Sequence, residues 1–154
     1  MRHWLIKTEP SVFGIDDLAA APAKTTSWEG VRNYQARNLI RDQIKKGDQA
    51  FLYYSSCEVP GIAGIVRVVR AAYPDRSALD RRDAHYDPAS SADNPRWYTF
   101  DVQLVRRLKR VIELDELRTH AGDALAGMIL LRAGNRLSVT PVEAAHWRFI
   151  LALE

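Results

Sequence analysis

Trp28-Glu29-Gly30-Val31-Arg32-Asn33-Tyr34-Gln35-Ala36-Arg37-Asn38 sets a large aromatic and a glycine ahead of amides, arginines and a tyrosine. Asn33 is a favoured N-cap, so the sequence predicts a helix over 34–44. Leu39, Ile40 and Ile44 share one face of it, with Arg37 and Arg41 on another. The stretch is therefore a junction at which extended chain turns into helix, and the fold is laid out on either side of it. Trp28 can stack on a planar ligand, and Gly30 lets another group approach the backbone closely. Free N–H groups at a helix start attract anions. Together these are the parts of a pocket for a flat, polar, phosphate-bearing ligand, and a nucleotide base fits.

Toward the N-terminus, residues 3–7 read as a strand ended by Glu9-Pro10, and 15–20 as a short helix begun at Ser11 or Gly14. Beyond the junction, Gly47-Asp48 turns the chain into a largely apolar strand over 49–55. Residues 61–73 form a second strand rich in Ile and Val, closed by Tyr73-Pro74-Asp75. Residues 75–95 carry Asp, Arg, Ser, Ala and Pro without periodicity and predict a long surface excursion. Alternation returns over 97–105, and short helices are predicted over 114–119 and 121–126. Thr140-Pro141-Val142-Glu143 has the form of a capping box with proline at the first helical position. The helix it predicts has Val142, Ala145, His146, Phe149, Ile150 and Leu153 on an apolar stripe, with His146 structural. The expected architecture is five or six mixed strands curled into a partial barrel with helices outside.

Composition agrees with one soluble domain spanning residues 1–154. The chain is 47% hydrophobic and 27% charged, an ordinary balance for a globular protein. Its single cysteine, Cys57, excludes an internal disulfide and is expected to be buried and structural. No apolar run approaches the roughly 20 residues needed to span a bilayer, and the expected location is cytoplasmic. A net charge of +3 is mildly basic. Basic residues cluster at Arg32, Arg37, Arg41, Lys45 and Lys46, and again at Arg106, Arg107, Lys109 and Arg110. Each cluster reads equally as a solvated face or as a phosphate-contacting surface.

Catalytic and cofactor signatures are absent. There is no G-x-S-x-G, H-E-x-x-H, paired C-x-x-C or P-loop. The histidines are scattered. Asp83, His85 and Asp87 alternate but lack the glycine turn and terminal carboxylate of a calcium loop, so a polar loop is the simpler reading. Asp16-Asp17 falls where acids favour a helix start. Neither metal nor cofactor is expected.

The residues also carry a resemblance. Lys7-Thr8-Glu9-Pro10 and the 28–38 stretch look like the opening motifs of the EVE domain family, also called the thymocyte nuclear protein family. Gly47-Asp48, Phe51-Leu52-Tyr53-Tyr54-Ser55-Ser56, Pro60-Gly61-Ile62-Ala63-Gly64-Ile65, Ala72-Tyr73-Pro74-Asp75, Tyr86-Asp87-Pro88, Trp97 and Arg136-Leu137-Ser138-Val139 continue the match in order. The resemblance implies an α+β fold, a PUA-like mixed β pseudo-barrel with peripheral helices. It also implies a reader of modified bases, holding the base in a pocket at the barrel edge. By that resemblance Lys7 and Thr8 lie on the pocket floor or rim, and Trp28 forms an aromatic wall. Glu29, Gly30, Val31, Arg32, Asn33 and Tyr34 line its edge, and Ser55 and Ser56 offer hydroxyls. Trp97, Arg136 and Ser138 are further members. Two positions depart from the family pattern: Tyr54 stands where histidine is frequent, and Gly14 where serine is common.

The leading expectation is a non-catalytic reader of a modified or flipped base in DNA or RNA, with Arg32, Arg37 and Arg41 positioning the backbone phosphates. Trp28 reads equally as a core tryptophan closing the barrel, and Arg32 as a surface arginine paired with Glu29. Two alternatives stay open. One is a hydrolase acting on a modified nucleobase or nucleoside, for which Lys7, Glu9 and Glu29 are the nearby candidates. The other is a pocketless scaffold for RNA or protein.

Overall fold

Leu5 faces one side of its strand and Trp4 and Ile6 face the other, and all three are fully buried. That alternation sets the architecture, because it requires a layer on each face of the sheet. The computed structural model describes every residue, Met1–Glu154. Strand β1 (His3–Thr8) pairs in parallel with β3 (Gln49–Tyr54), Trp4 opposite Ala50 and Thr8 opposite Tyr54. Strands β4 (Gly61–Pro74) and β5 (Tyr98–Glu113) form a long antiparallel pair, with β2 (Thr25–Ser27) and β6 (Val139–Val142) at the two edges. The order is β2-β5-β4-β3-β1-β6. This is the expected six-stranded mixed sheet with peripheral helices. No pairing joins β2 to β6, so hydrogen bonds do not close it into a barrel.

On one face, Trp4, Ile6, Leu52, Val66 and Phe100 pack under helices α1 (Ile15–Ala20) and α2 (Tyr34–Asp42). On the other, Leu5, Phe51, Ile62 and Ile112 lie beneath α3 (Leu114–Arg118) and α4 (Ala144–Leu153). Trp147 of α4 stacks on Phe51 with ring centroids 3.9 Å apart. His146 is buried beside it, as expected. No helix is long and apolar enough to cross a membrane.

Asp48 secures the start of the sheet. It is buried, and its carboxylate accepts from the Trp4 indole at 2.9 Å and from the Arg2 and Lys45 amides at 3.0 Å. Burial alone would raise its pKa, but the three donors outweigh that and hold it below the ordinary carboxylate range.

Four expectations are corrected. Strand β5 continues beyond residue 105 to Glu113, so Arg106, Arg107, Lys109 and Arg110 are strand residues. Register shifts opposite Ile62/Gly64 and Ile65/Val66 break the period of two that would have announced this. Residues 121–126 form successive turns, not a helix. Thr140-Pro141-Val142 is β6, not a helix start. Backbone pairing with His3 to Ile6 satisfies more groups than a cap would, and Pro141 sits opposite Trp4 on an edge strand, where its missing N–H costs nothing. The helix begins at Ala144 instead. Cys57 is partly exposed in the turn after β3 rather than buried.

Candidate nucleic-acid interface

Beyond the carboxyl end of β1 a cavity of about 510 Å³ opens. It is lined by Lys7, Thr8 and Glu9, by Val12 and Phe13, by Thr26 and Ser27, and by Trp28, Glu29, Gly30 and His85, the last four of which we call its rim. The lining combines apolar side chains with hydroxyls, two carboxylates, an ammonium and an imidazole. Burial pulls the Lys7 ammonium below the ordinary lysine range.

Trp28 belongs to the core as well as to the cavity. It is 7% exposed, its amide donates to the Phe100 carbonyl at 2.8 Å, and Phe13 meets its ring edge-on at 6.5 Å between centroids. Most of the indole packs under α1 and α2, and the residue also lines the cavity.

Asp75 assembles the rim. This carboxylate lies at the end of β4 and is 2% exposed. It accepts from the Gly30 amide at 2.9 Å, the Arg32 guanidinium at 3.0 Å, and the amide and hydroxyl of Ser77 at 2.9 and 2.6 Å. Burial would raise its pKa, and these donors together bring it below the ordinary value. Arg32 passes the constraint on. Its Nε and Nη2 donate to the His85 carbonyl at 3.1 and 2.7 Å, and Nη2 also reaches Ser77 Oγ. The His85 ring is thereby laid over Gly30. A Cβ on Gly30 would stand 2.6 Å from His85 Nε2. The group that needs the glycine is thus a side chain of the protein itself.

A second assembly ties the long loop to α2. Tyr34 stacks on Trp97 at 4.9 Å, with Arg37 over the outer face of Tyr34 at 4.9 Å and Arg32 over Trp97 at 5.4 Å. The Trp97 indole donates to Asp87 at 2.6 Å, and Arg37 donates to the Arg96 carbonyl at 2.9 Å.

Of the residues singled out in the sequence, the cavity gathers Lys7, Thr8, Trp28, Glu29 and Gly30. Val31 is buried in the core, and Arg32 has its donors occupied in the rim. Asn33 caps α2 by accepting from the Ala36 amide at 3.0 Å. Tyr34 and Trp97 lie in the stack described above. Ser55 bonds the Thr8 carbonyl through its amide, and Ser56 sits in the following turn at a φ of +54°. The Ser138 carbonyl accepts from the Lys7 amide, while Arg136 stands with Asn33 at a separate cavity. Arg41 is paired with the neighbouring Asp42 at 2.8 Å. Sequence reasoning missed Val12, Phe13, Thr26, Ser27 and His85 as cavity residues and Asp75 as the rim's organiser. Only the loop pattern around His85 and the Tyr73-Pro74-Asp75 turn hinted at the last two.

The model of the EVE domain matches residues 2–153. The chain belongs to the EVE domain family. Thymocyte nuclear protein 1 of Gallus gallus is 47% identical over 99% of this chain and 68% of its own length. The human THYN1 protein, solved in complex with 5-methylcytosine-containing DNA, is 44% identical, with a TM-score of 0.94 over 99% of this chain and 97% of that one. A Pseudomonas putida protein of known structure is also 44% identical, with a TM-score of 0.92 over 98% of both chains.

Gly14 and Tyr54, the two positions set apart by the resemblance, are neighbours. Gly14 precedes α1 and has no side chain to cap it. The Tyr54 hydroxyl, at the end of β3, accepts from the Ile15 amide at 2.9 Å and satisfies one free N–H at the helix start. Much of the positive charge is neutralised within the domain. Arg106 pairs with Glu154, Arg107 with Asp16 and Arg110 with Glu116, each at 2.6 Å. Three of the four cations of the second basic cluster are therefore paired. No group of three His, Cys, Asp or Glu side chains is placed to hold a metal.

Proposed function

We propose that this EVE domain reads a modified nucleobase, displaced from its strand into the cavity beside Trp28, and binds it without chemical change. The observation that carries the reading is the mixed lining of that one cavity. Phe13, Val12 and the exposed strip of Trp28 form an apolar wall, while Glu9 and Glu29 face the same space beside Lys7, Ser27 and His85. The carboxylates suit the amino and ring N–H groups of a base and repel phosphate, so this cavity takes the base rather than the backbone. The human relative in complex with 5-methylcytosine-containing DNA supports a base carrying a small added group.

The test is fluorescence anisotropy of single-stranded DNA carrying cytosine, 5-methylcytosine or 5-hydroxymethylcytosine at one position. Trp28→Ala is a poor probe because the indole is mostly core, and its removal costs about 3–5 kcal/mol of stability. Glu29→Gln and His85→Ala are exposed changes that leave the core untouched. Each is expected to weaken binding of the preferred modified strand about tenfold, the effect of losing one charge-assisted contact. Equal affinity for every probe, unmoved by either substitution, would overturn the reading.

A further inference from the structure

Several arginines of the domain are already paired with carboxylates. Arg32 and Arg41 are held by Asp75 and Asp42, and three arginines of β5 by their own carboxylates. Between the start of α2 and the loop at 132–137 the balance is different. A cavity of about 420 Å³ lies there, and a second of about 450 Å³ adjoins it toward Lys7, Tyr53 and Arg118. The two share residues 132–135, no acidic residue lines either, and Arg118 alone among their cations has a carboxylate partner, Asp115 at 3.5 Å. Arg132 and Arg136 are exposed and paired with no carboxylate, and Arg132 is held only by a long contact to the Gly127 carbonyl at 3.4 Å. The second of these cavities is also lined by Lys7, which lines the base cavity as well.

One further feature supplies donors. Across the first cavity, Asn33 and Gln35 bring the start of α2, where the Tyr34 and Gln35 amides have no partner while that of Ala36 is capped by Asn33. Donors and cations without one competing carboxylate describe a seat for anions that follow one another, as the phosphates of a strand do.

We propose that these two cavities form the track for the phosphodiester backbone of a single DNA strand, running past Lys7 to the nucleotide whose base occupies the Trp28 cavity. Arg132 and Arg136 take phosphates. Base identity is read in one cavity and strand position is held in the others. The track rests on the base-reading proposal for its direction, but its own charge pattern stands apart from base preference.

The experiment is the salt dependence of anisotropy for a labelled single-stranded DNA, with the matching RNA as a second arm. In the Arg132→Gln/Arg136→Gln variant the slope of log Kd against log salt should fall by roughly one to one and a half, the yield of two lost single-strand phosphate contacts. Arg106→Gln/Arg107→Gln on β5 should leave the slope within experimental scatter. A slope unchanged in the first variant, a β5 variant that lowers it equally, or no DNA binding at low salt would each overturn the track. RNA bound more tightly than DNA would overturn the choice of DNA. If the wild-type protein binds modified and unmodified strands alike, yet the slope falls as stated, the track stands and base reading falls.

Discussion

Alanine at Gly30 tests the geometry of the rim most directly, because a second glycine provides its control. Gly30 has a φ of +84° and Gly47 a φ of +95°, so an L side chain at either position pays for left-handed backbone, about 1–2 kcal/mol. A Cβ on Gly47 meets nothing within 4 Å, whereas a Cβ on Gly30 meets three atoms of the His85 ring between 2.6 and 2.8 Å. The His85 carbonyl is fixed by Arg32, so relief must come from rotation of the ring by most of an ångström. That rotation is worth about 0.5–1.5 kcal/mol in rotamer strain. The contact of His85 Nδ1 with Asp83 at 3.2 Å is half exposed and adds little when lost. Gly47→Ala is therefore expected to cost about 1–2 kcal/mol and Gly30→Ala about 1.5–3.5 kcal/mol in urea unfolding. In a Gly30→Ala/His85→Ala double-mutant cycle the excess should return as a coupling of about 0.5–1.5 kcal/mol. Gly30→Ala should also weaken binding of a modified single strand, while Gly47→Ala should not. Equal costs for the two glycines, with zero coupling to His85, would refute the account of the rim.

The buried carboxylates set the acid limit of the fold. Asp48 and Asp75 both have lowered folded pKa values, so their contribution is full above the ordinary carboxylate pKa of about 4 and is lost as pH falls through the lowered values. Urea midpoints should drop between about pH 5 and pH 2, and Asp75→Asn should flatten that drop. The same substitution should cost about 2–4 kcal/mol at neutral pH, less than for a fully enclosed pair because Arg32 can turn to water. Tyr54→Phe removes the acceptor for the Ile15 amide and should cost about 0.5–1.5 kcal/mol by thermal or urea unfolding. Adding Gly14→Ser should restore part of it, and a serine without effect in that background would show that α1 needs no cap.

Wherever local chemistry decides the structure, the residues said so in advance. Asn33 announced α2, Ser11 or Gly14 the start of α1, and the stretches of β1 and β3 read as strands. Legibility failed where distant backbone decided. Thr140-Pro141-Val142-Glu143 carries a sound local signal for a helix, but β1 presents an unpaired edge that the segment fills instead. Strand β5 hides behind its arginines because its bulged register leaves only Leu108 and Ile112 buried beyond residue 105. The cavity divides in the same way. Lys7, Thr8, Trp28, Glu29 and Gly30 come from two short contiguous stretches and could be read there. His85 and Ser27 reach it only through the sheet and through Asp75, which no periodicity reports.

The attachment of His85 has a consequence for how the domain can diversify. Arg32 grips this residue by its main-chain carbonyl, so the position is held whatever side chain it bears. Residue 85 is a socket on a fixed bracket. A smaller or differently charged group there would reshape the mouth of the cavity while Asp75, Arg32 and the core beneath stayed as they are. The range of ligands admitted could thus drift in evolution through one exposed residue, with almost no toll on folding.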